Sequence, residues 1–149
     1  MTLRHDCSRS GCYKETLPDW GVLAGCFPGR IAPTDLDGIV ELRGRVLILE
    51  WKRPDGRIPR GQEILLERLA ARGLTVFVVW GPTALAKLHP ASPDVAPAAL
   101  TLRIYDSSLP RPLERYPITL ADLRAEVSRW SRTAVAGGTY RPSAAGDAA

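Results

Sequence analysis

The sequence predicts a mixed α/β domain, and three observations predict it. An apolar hairpin pattern surrounds Arg43-Gly44. A continuous apolar run ends at Glu50-Trp51-Lys52, and a helical stretch separates it from a second apolar run ending at Trp80. Hairpin partners are antiparallel, whereas two strands separated by a helix can be parallel through a right-handed crossover, so the sheet is expected to be mixed.

Taken in order, "YKETLPDWGVLAGCF" leaves room for a short helix or an irregular packing segment contributing Trp20, Val22, Leu23 and Phe27. Gly25, Pro28, Gly29 and Pro33 then punctuate the approach to the hairpin. One strand is expected near 36–42 and its partner near 45–52. The second, "RVLILEWK", is apolar on both faces, which suits a central strand covered on both sides. "RPDGRIPRG" reads as a loop. "GQEILLERLAARG" has helical spacing at Ile64, Leu65, Leu69 and Ala70, with Gly73 as its stop. "LTVFVVWG" is a buried strand, 82–99 a short helix plus loop, and "LTLRIYD" a late strand. "ITLADLRAEVSRWSR" is a helix with Thr119 and Asp122 in capping positions and Leu120, Leu123, Val127 and Trp130 on one stripe. The domain is expected over 1–132, followed by a disordered tail over 133–149, where small and polar residues dominate.

The chain's 149 residues fit one domain, and 45% hydrophobic with 24% charged residues is an ordinary globular composition. No apolar run approaches the ~20 residues needed to span a bilayer, so no membrane partner is expected. "MTLRHDCSRSGCYKET" lacks a signal-peptide core, which points to a cytoplasmic location. A net charge of +4 is a mild basic bias, compatible with a polyanionic partner but too weak to argue for one alone. Cys7, Cys12 and Cys26 are an odd count without an export signal, so free thiols are expected. Joined by His5 they could supply four zinc ligands, but the spacing lacks a C-x2-C pair.

The charged residues at the open end of the hairpin carry the chemistry. With Arg43-Gly44 as a two-residue turn, Leu42 pairs with Arg45; Asp37 then lies opposite Glu50, and Asp35 opposite Lys52. A four-residue turn keeps this register and a three-residue turn breaks it. Paired residues share a face, so Asp35, Asp37, Glu50 and Lys52 all project to one side. Two directly opposed carboxylates repel, and a divalent cation is one reason to place them so: Mg²⁺ is held by one or two carboxylates plus waters and substrate phosphates. Lys52, one step along that face, could orient or activate a water nucleophile.

An Asp followed thirteen residues later by Glu-x-Lys at the end of an apolar strand resembles the PD-(D/E)XK nuclease superfamily. More narrowly, "PTDLDGIVELRGRVLILEWK" with "GQEILLERLAARGLTVFVVWG" is similar to the virus-type replication-repair and Holliday-junction-resolvase-like branches, phage-borne members included. The similarity spans residues 33–81. It implies a restriction-endonuclease-like mixed sheet flanked by helices and Mg²⁺- or Mn²⁺-dependent hydrolysis of DNA. It places Asp37 and Glu50 on the metal together with the backbone carbonyl of Trp51, Lys52 on the attacking water, and Gln62 in support. "PTDLD" departs from the usual Pro-Asp dipeptide, which makes Asp35 a rival or a support, and Glu15 is the candidate for a further acidic residue. Arg53, Arg57 and Arg60, in or beside the loop, are candidate phosphate contacts. The implied partner is DNA, single-stranded or branched forms included, and a homodimer is compatible.

Two other readings stay open. The domain could be a catalytically silent nucleic-acid-binding or assembly module on the same scaffold. It could also be a small structural or interaction protein whose Asp37, Glu50 and Lys52 form an ordinary strand-end ion-pair cluster, worth ~0–1 kcal/mol if exposed.

Overall fold

A computed structural model describes residues 20–29, 31, 33, 34, 36–82 and 100–145. Two compact units divide the chain, Met1–Asp35 and Leu36–Ala149. In the first, the described residues form a 3₁₀ turn at Trp20–Leu23 that Cys26 closes by donating its N–H to Leu23 O, and Cys26 is an exposed free thiol. All but Pro82 of the helix and loop expected over 82–99, and His5, Cys7, Cys12, Glu15 and Asp35, lie outside the described residues.

The second unit is the expected α/β fold, a mixed sheet flanked by helices. Its elements are β1 (Gly38–Leu42), β2 (Arg45–Lys52), α1 (Arg60–Ala71), β3 (Thr75–Trp80), β4 (Leu100–Tyr105), β5 (Tyr116–Ile118) and α2 (Leu120–Ala136). The strands lie in chain order, with β2 and β3 parallel across α1 and the other neighbours antiparallel. The hairpin has the expected register, Leu42 against Arg45 and Gly38 against Leu49. Its turn has φ 51° at Arg43 and 80° at Gly44, the two positive values that a two-residue turn matched to strand twist requires.

Alternation along β2 sorts its side chains between two cores. Leu47, Leu49 and Trp51 join Phe77, Val79, Leu102 and Ile104 under α2, which contributes Leu120, Leu123, Val127 and Trp130 as the stripe predicts. Val46 and Ile48 join Val76, Val78, Trp80 and Tyr105 under α1. Glu50 and Lys52, of the same parity, therefore face α1.

Three expectations are corrected. On α1 the most buried residues are Leu66 and Ala70, and Leu66 was not in the expected Ile64, Leu65, Leu69, Ala70 stripe. The docking face is rotated accordingly, and Gln62, one turn before Leu66, lies on it. A short strand, β5, follows a Pro-rich stretch where none was expected; Pro117 is tolerated because β5 is an edge strand. Residues 133–145 are structured, not a disordered tail. Helix α2 runs to Ala136 and stops at Gly137, whose left-handed φ of 71° ends it. Tyr140 then packs into the α2-side core, and its hydroxyl donates to the buried Glu126 carboxylate. Among the described residues no helix is long and apolar enough to cross a membrane.

Candidate active site

The site forms where β1 ends early and β2 continues. Odd residues of β2 direct their peptide groups to β1, and even residues direct theirs to β3, as Gly81 N–H donating to Lys52 O (3.0 Å) illustrates. The β1 ladder stops at Gly38, so the peptide of Trp51 extends beyond it. There the Asp37 carboxylate takes over, accepting the Trp51 N–H at 2.6 Å on Oδ2. The Trp51 carbonyl, on the same edge as its N–H, points to the Asp37 side.

Glu50 is 5% exposed, on the α1 face of the central strand pair. Its Oε1 accepts from Lys52 Nζ at 2.7 Å and from Gln62 Nε2 at 2.8 Å. Lys52 Nζ also donates to Gln62 Oε1 at 2.9 Å, closing a three-membered ring of side chains. Gln62 reaches this ring because it shares the sheet-facing stripe of α1 with Leu66 and Ala70. Glu50 Oε2, by contrast, is buried with no hydrogen-bond partner among the described residues. A buried carboxylate oxygen left unpaired costs about 1–3 kcal/mol or more, so the arrangement calls for a ligand that binds oxygen.

Among the described residues no group of three or more His, Cys, Asp or Glu side chains could hold a metal ion. Mg²⁺ does not require one. It commonly takes one or two carboxylates and completes its shell with water and substrate phosphate. Asp37, the Trp51 carbonyl and Glu50 Oε2 are oxygen donors of the hard type such an ion prefers, and they fit that partial shell.

The structure thus brings Glu50, Lys52 and Gln62 into direct contact and ties Asp37 to the backbone between them. Arg53 and Arg57 are exposed in the following loop, and Arg60 is exposed on the first turn of α1, paired with Glu63 at 3.0 Å. The sequence reading treats Trp80 only as core. It is buried, but its indole N–H also donates to Gly56 O at 2.8 Å and so anchors the loop behind Lys52. No family model, curated protein or solved structure matches the chain.

Proposed function

We propose that the Leu36–Ala149 unit is a metal-dependent nuclease of the PD-(D/E)XK type that hydrolyses phosphodiester bonds in DNA. The observation that carries this reading is the asymmetry of Glu50. One oxygen is saturated by Lys52 and Gln62, and the other is buried with no partner among the described residues, one residue before the Trp51 peptide that Asp37 binds. A structural ion pair needs the first half of that arrangement and has no use for the second.

In this reading Asp37, the Trp51 carbonyl and Glu50 Oε2 hold Mg²⁺ or Mn²⁺. When bound, the ion supplies Lewis-acid polarisation of the scissile phosphate and makes nearby water more acidic. The chain's own residues do the positioning. An ammonium has three donors; Lys52 commits two, to Glu50 Oε1 and Gln62 Oε1, and the third holds the attacking water. Gln62 fixes the ammonium by accepting from it while donating to Glu50, so neither long side chain has to be ordered during the reaction. The positive charge of Lys52 offsets negative charge growing on the phosphate oxygens.

The test is a cleavage panel over single-stranded, duplex, flapped and four-way DNA with Mg²⁺, Mn²⁺ or EDTA. Cutting is expected with either metal, to stop in EDTA, and to stop in Lys52→Ala with the fold retained. If no substrate is cut under any metal condition, the nuclease reading fails.

A further inference from the structure

The α1 face of the sheet carries a second pair of like charges, of opposite sign to the first. Glu50 is in register with Val78, and Val78 with Arg103, so Arg103 stands two strands away from Glu50 in one row. At the usual strand spacing that is ~9–10 Å. The β4–β5 ladder ends at Leu102 against Tyr116, and one further step would set Arg115 against Arg103. Both arginines face α1. Arg103 pairs with Glu63 on α1, and Arg115 stacks on Trp80, with its guanidinium carbon 4.3 Å from the ring centroid.

Like charges opposed across strands are destabilising, and little in the neighbourhood neutralises these. Glu63 reaches Arg103 only at 3.4 Å and is already bound to Arg60 at 3.0 Å. Arg103 Nε is buried with no hydrogen-bond partner among the described residues. Arg115 donates to two neutral acceptors, Thr101 Oγ1 at 2.5 Å and Pro54 O at 3.0 Å. These bonds and the Trp80 ring fix an exposed cation in place before any ligand arrives.

We infer that Arg103 and Arg115 together grip a backbone phosphate of the DNA strand being cut, so that this strand crosses the sheet from the end of β2 towards β5 and not over the β1 edge. The inference rests on the nuclease reading for which phosphate is cut, but the grip itself is a binding property. A separation of ~9–10 Å exceeds one phosphate-to-phosphate step along a duplex strand, so the gripped phosphate is a near neighbour of the scissile one and not that phosphate itself.

The experiment is a salt titration of binding to fluorescein-labelled duplex DNA in EDTA, where cutting stops. Each lost phosphate contact lowers the slope of log K against log salt by about 0.9 for duplex DNA. Arg103→Gln/Arg115→Gln is expected to lower the slope by about that amount and to weaken binding. The charge-retaining Arg103→Lys/Arg115→Lys pair should keep the slope. Thermal melting of each variant separates lost contact from lost fold. A slope unchanged in the Gln pair overturns the grip even if wild-type protein cuts DNA, and so does a change seen only with RNA of the same sequence. Wild-type protein that binds with the expected slope change but never cuts sustains the grip and sinks the nuclease reading.

Discussion

Glu50 and Glu126 are both buried carboxylates, 5% and 4% exposed, and both sit beside a cation. Around Glu126 every oxygen is occupied. Oε1 accepts from the Tyr140 hydroxyl and from Ser143 N–H, and Oε2 accepts from the Ser143 hydroxyl. Arg129 stands 3.8 Å away. The donors come from the segment after α2, so the cluster ties residues 140–143 down to the helix. Around Glu50 the donors crowd onto one oxygen and leave the other bare. Burial and charge are alike in the two carboxylates; the state of the second oxygen is what sets them apart.

That contrast is tested most sharply by making one substitution at both places. Glu50→Gln is expected to reduce cleavage by about 10²–10³-fold, the usual loss when a group stabilising transition-state charge is removed. It should cost less stability than Glu126→Gln, because the charge-assisted bond lost to Lys52 is offset by neutralising a buried carboxylate whose Oε2 has no partner among the described residues. Glu126→Gln is expected to do the reverse: cleavage within about 2-fold, stability lower by about 1–3 kcal/mol as donors lose a charged acceptor. Mn²⁺ adds an activity-free measurement. It should raise the melting temperature of wild-type and Glu126→Gln protein through binding to the native state, and fail to do so for Glu50→Gln. Equal behaviour of the two variants in both assays would erase the distinction.

Tyr140→Phe probes the structural side without touching charge. Removing a buried hydroxyl that donates to a carboxylate should cost about 1.5–3 kcal/mol in denaturant melts, with cleavage unaffected. Burial first, and the Glu126 carboxylate second, push the Tyr140 hydroxyl well above its ordinary value of 10.0. The folded state therefore holds that proton more tightly than the unfolded chain does. Its contribution is fully present below pH ~10 and is lost as pH rises above it. The wild-type melting temperature should thus fall more steeply in alkali than that of Tyr140→Phe.

Gln62→Ala removes the residue to which the nuclease reading gives the positioning of Lys52. Lys52 and Glu50 remain, so the expected loss is about 10-fold in kcat, smaller than for Glu50→Gln, with DNA binding and melting little changed. Gln62→Glu should be worse than Ala, because a second carboxylate beside Glu50 has no amide proton to donate. Restoration of activity by Glu would refute the hydrogen-bond ring as drawn.

How much of this could be read beforehand follows from how local each feature is. The hairpin register was legible because Arg43-Gly44 forms a two-residue turn and alternation does the rest; the ladder it sets runs to Gly38 against Leu49, one residue short of Asp37 and Glu50. Lys52 and Gln62 were legible as candidates, but their ring was not. It depends on the rotation of α1, and the sequence stripe misplaced that face by leaving out Leu66. Glu126 was invisible: on a helix otherwise read from Leu120, Leu123, Val127 and Trp130, an acid reads as solvent-facing. Its partner Tyr140 lies beyond the helix, in a stretch whose composition suggests disorder. Arg103 and Arg115 come together only through the pairing of β4 with a three-residue edge strand containing proline, which no periodicity announces.

The smallest expected effect concerns α2, the helix that presents Glu126. Thr119 and Asp122 form a reciprocal cap. Asp122 N–H donates to Thr119 Oγ1 at 3.1 Å, and Thr119 N–H donates to Asp122 Oδ2 at 2.9 Å. The Thr119 hydroxyl adds a bond to the same Asp122 oxygen at 2.7 Å. These bonds, the side-chain one foremost, hold the Asp122 carboxyl below its ordinary value of 3.8. A lowered value means that the folded state favours the ionised form. The contribution is therefore present above pH ~4 and is lost as pH falls through the lower folded-state value. Thr119→Ala should cost about 1 kcal/mol at neutral pH, the usual consequence of losing an N-cap. Between neutral pH and pH 3 the gap in melting temperature between wild type and Thr119→Ala should narrow as the Asp122 carboxyl takes up its proton. A gap that stayed constant over that range would overturn the link between the cap and the ionised Asp122 carboxylate.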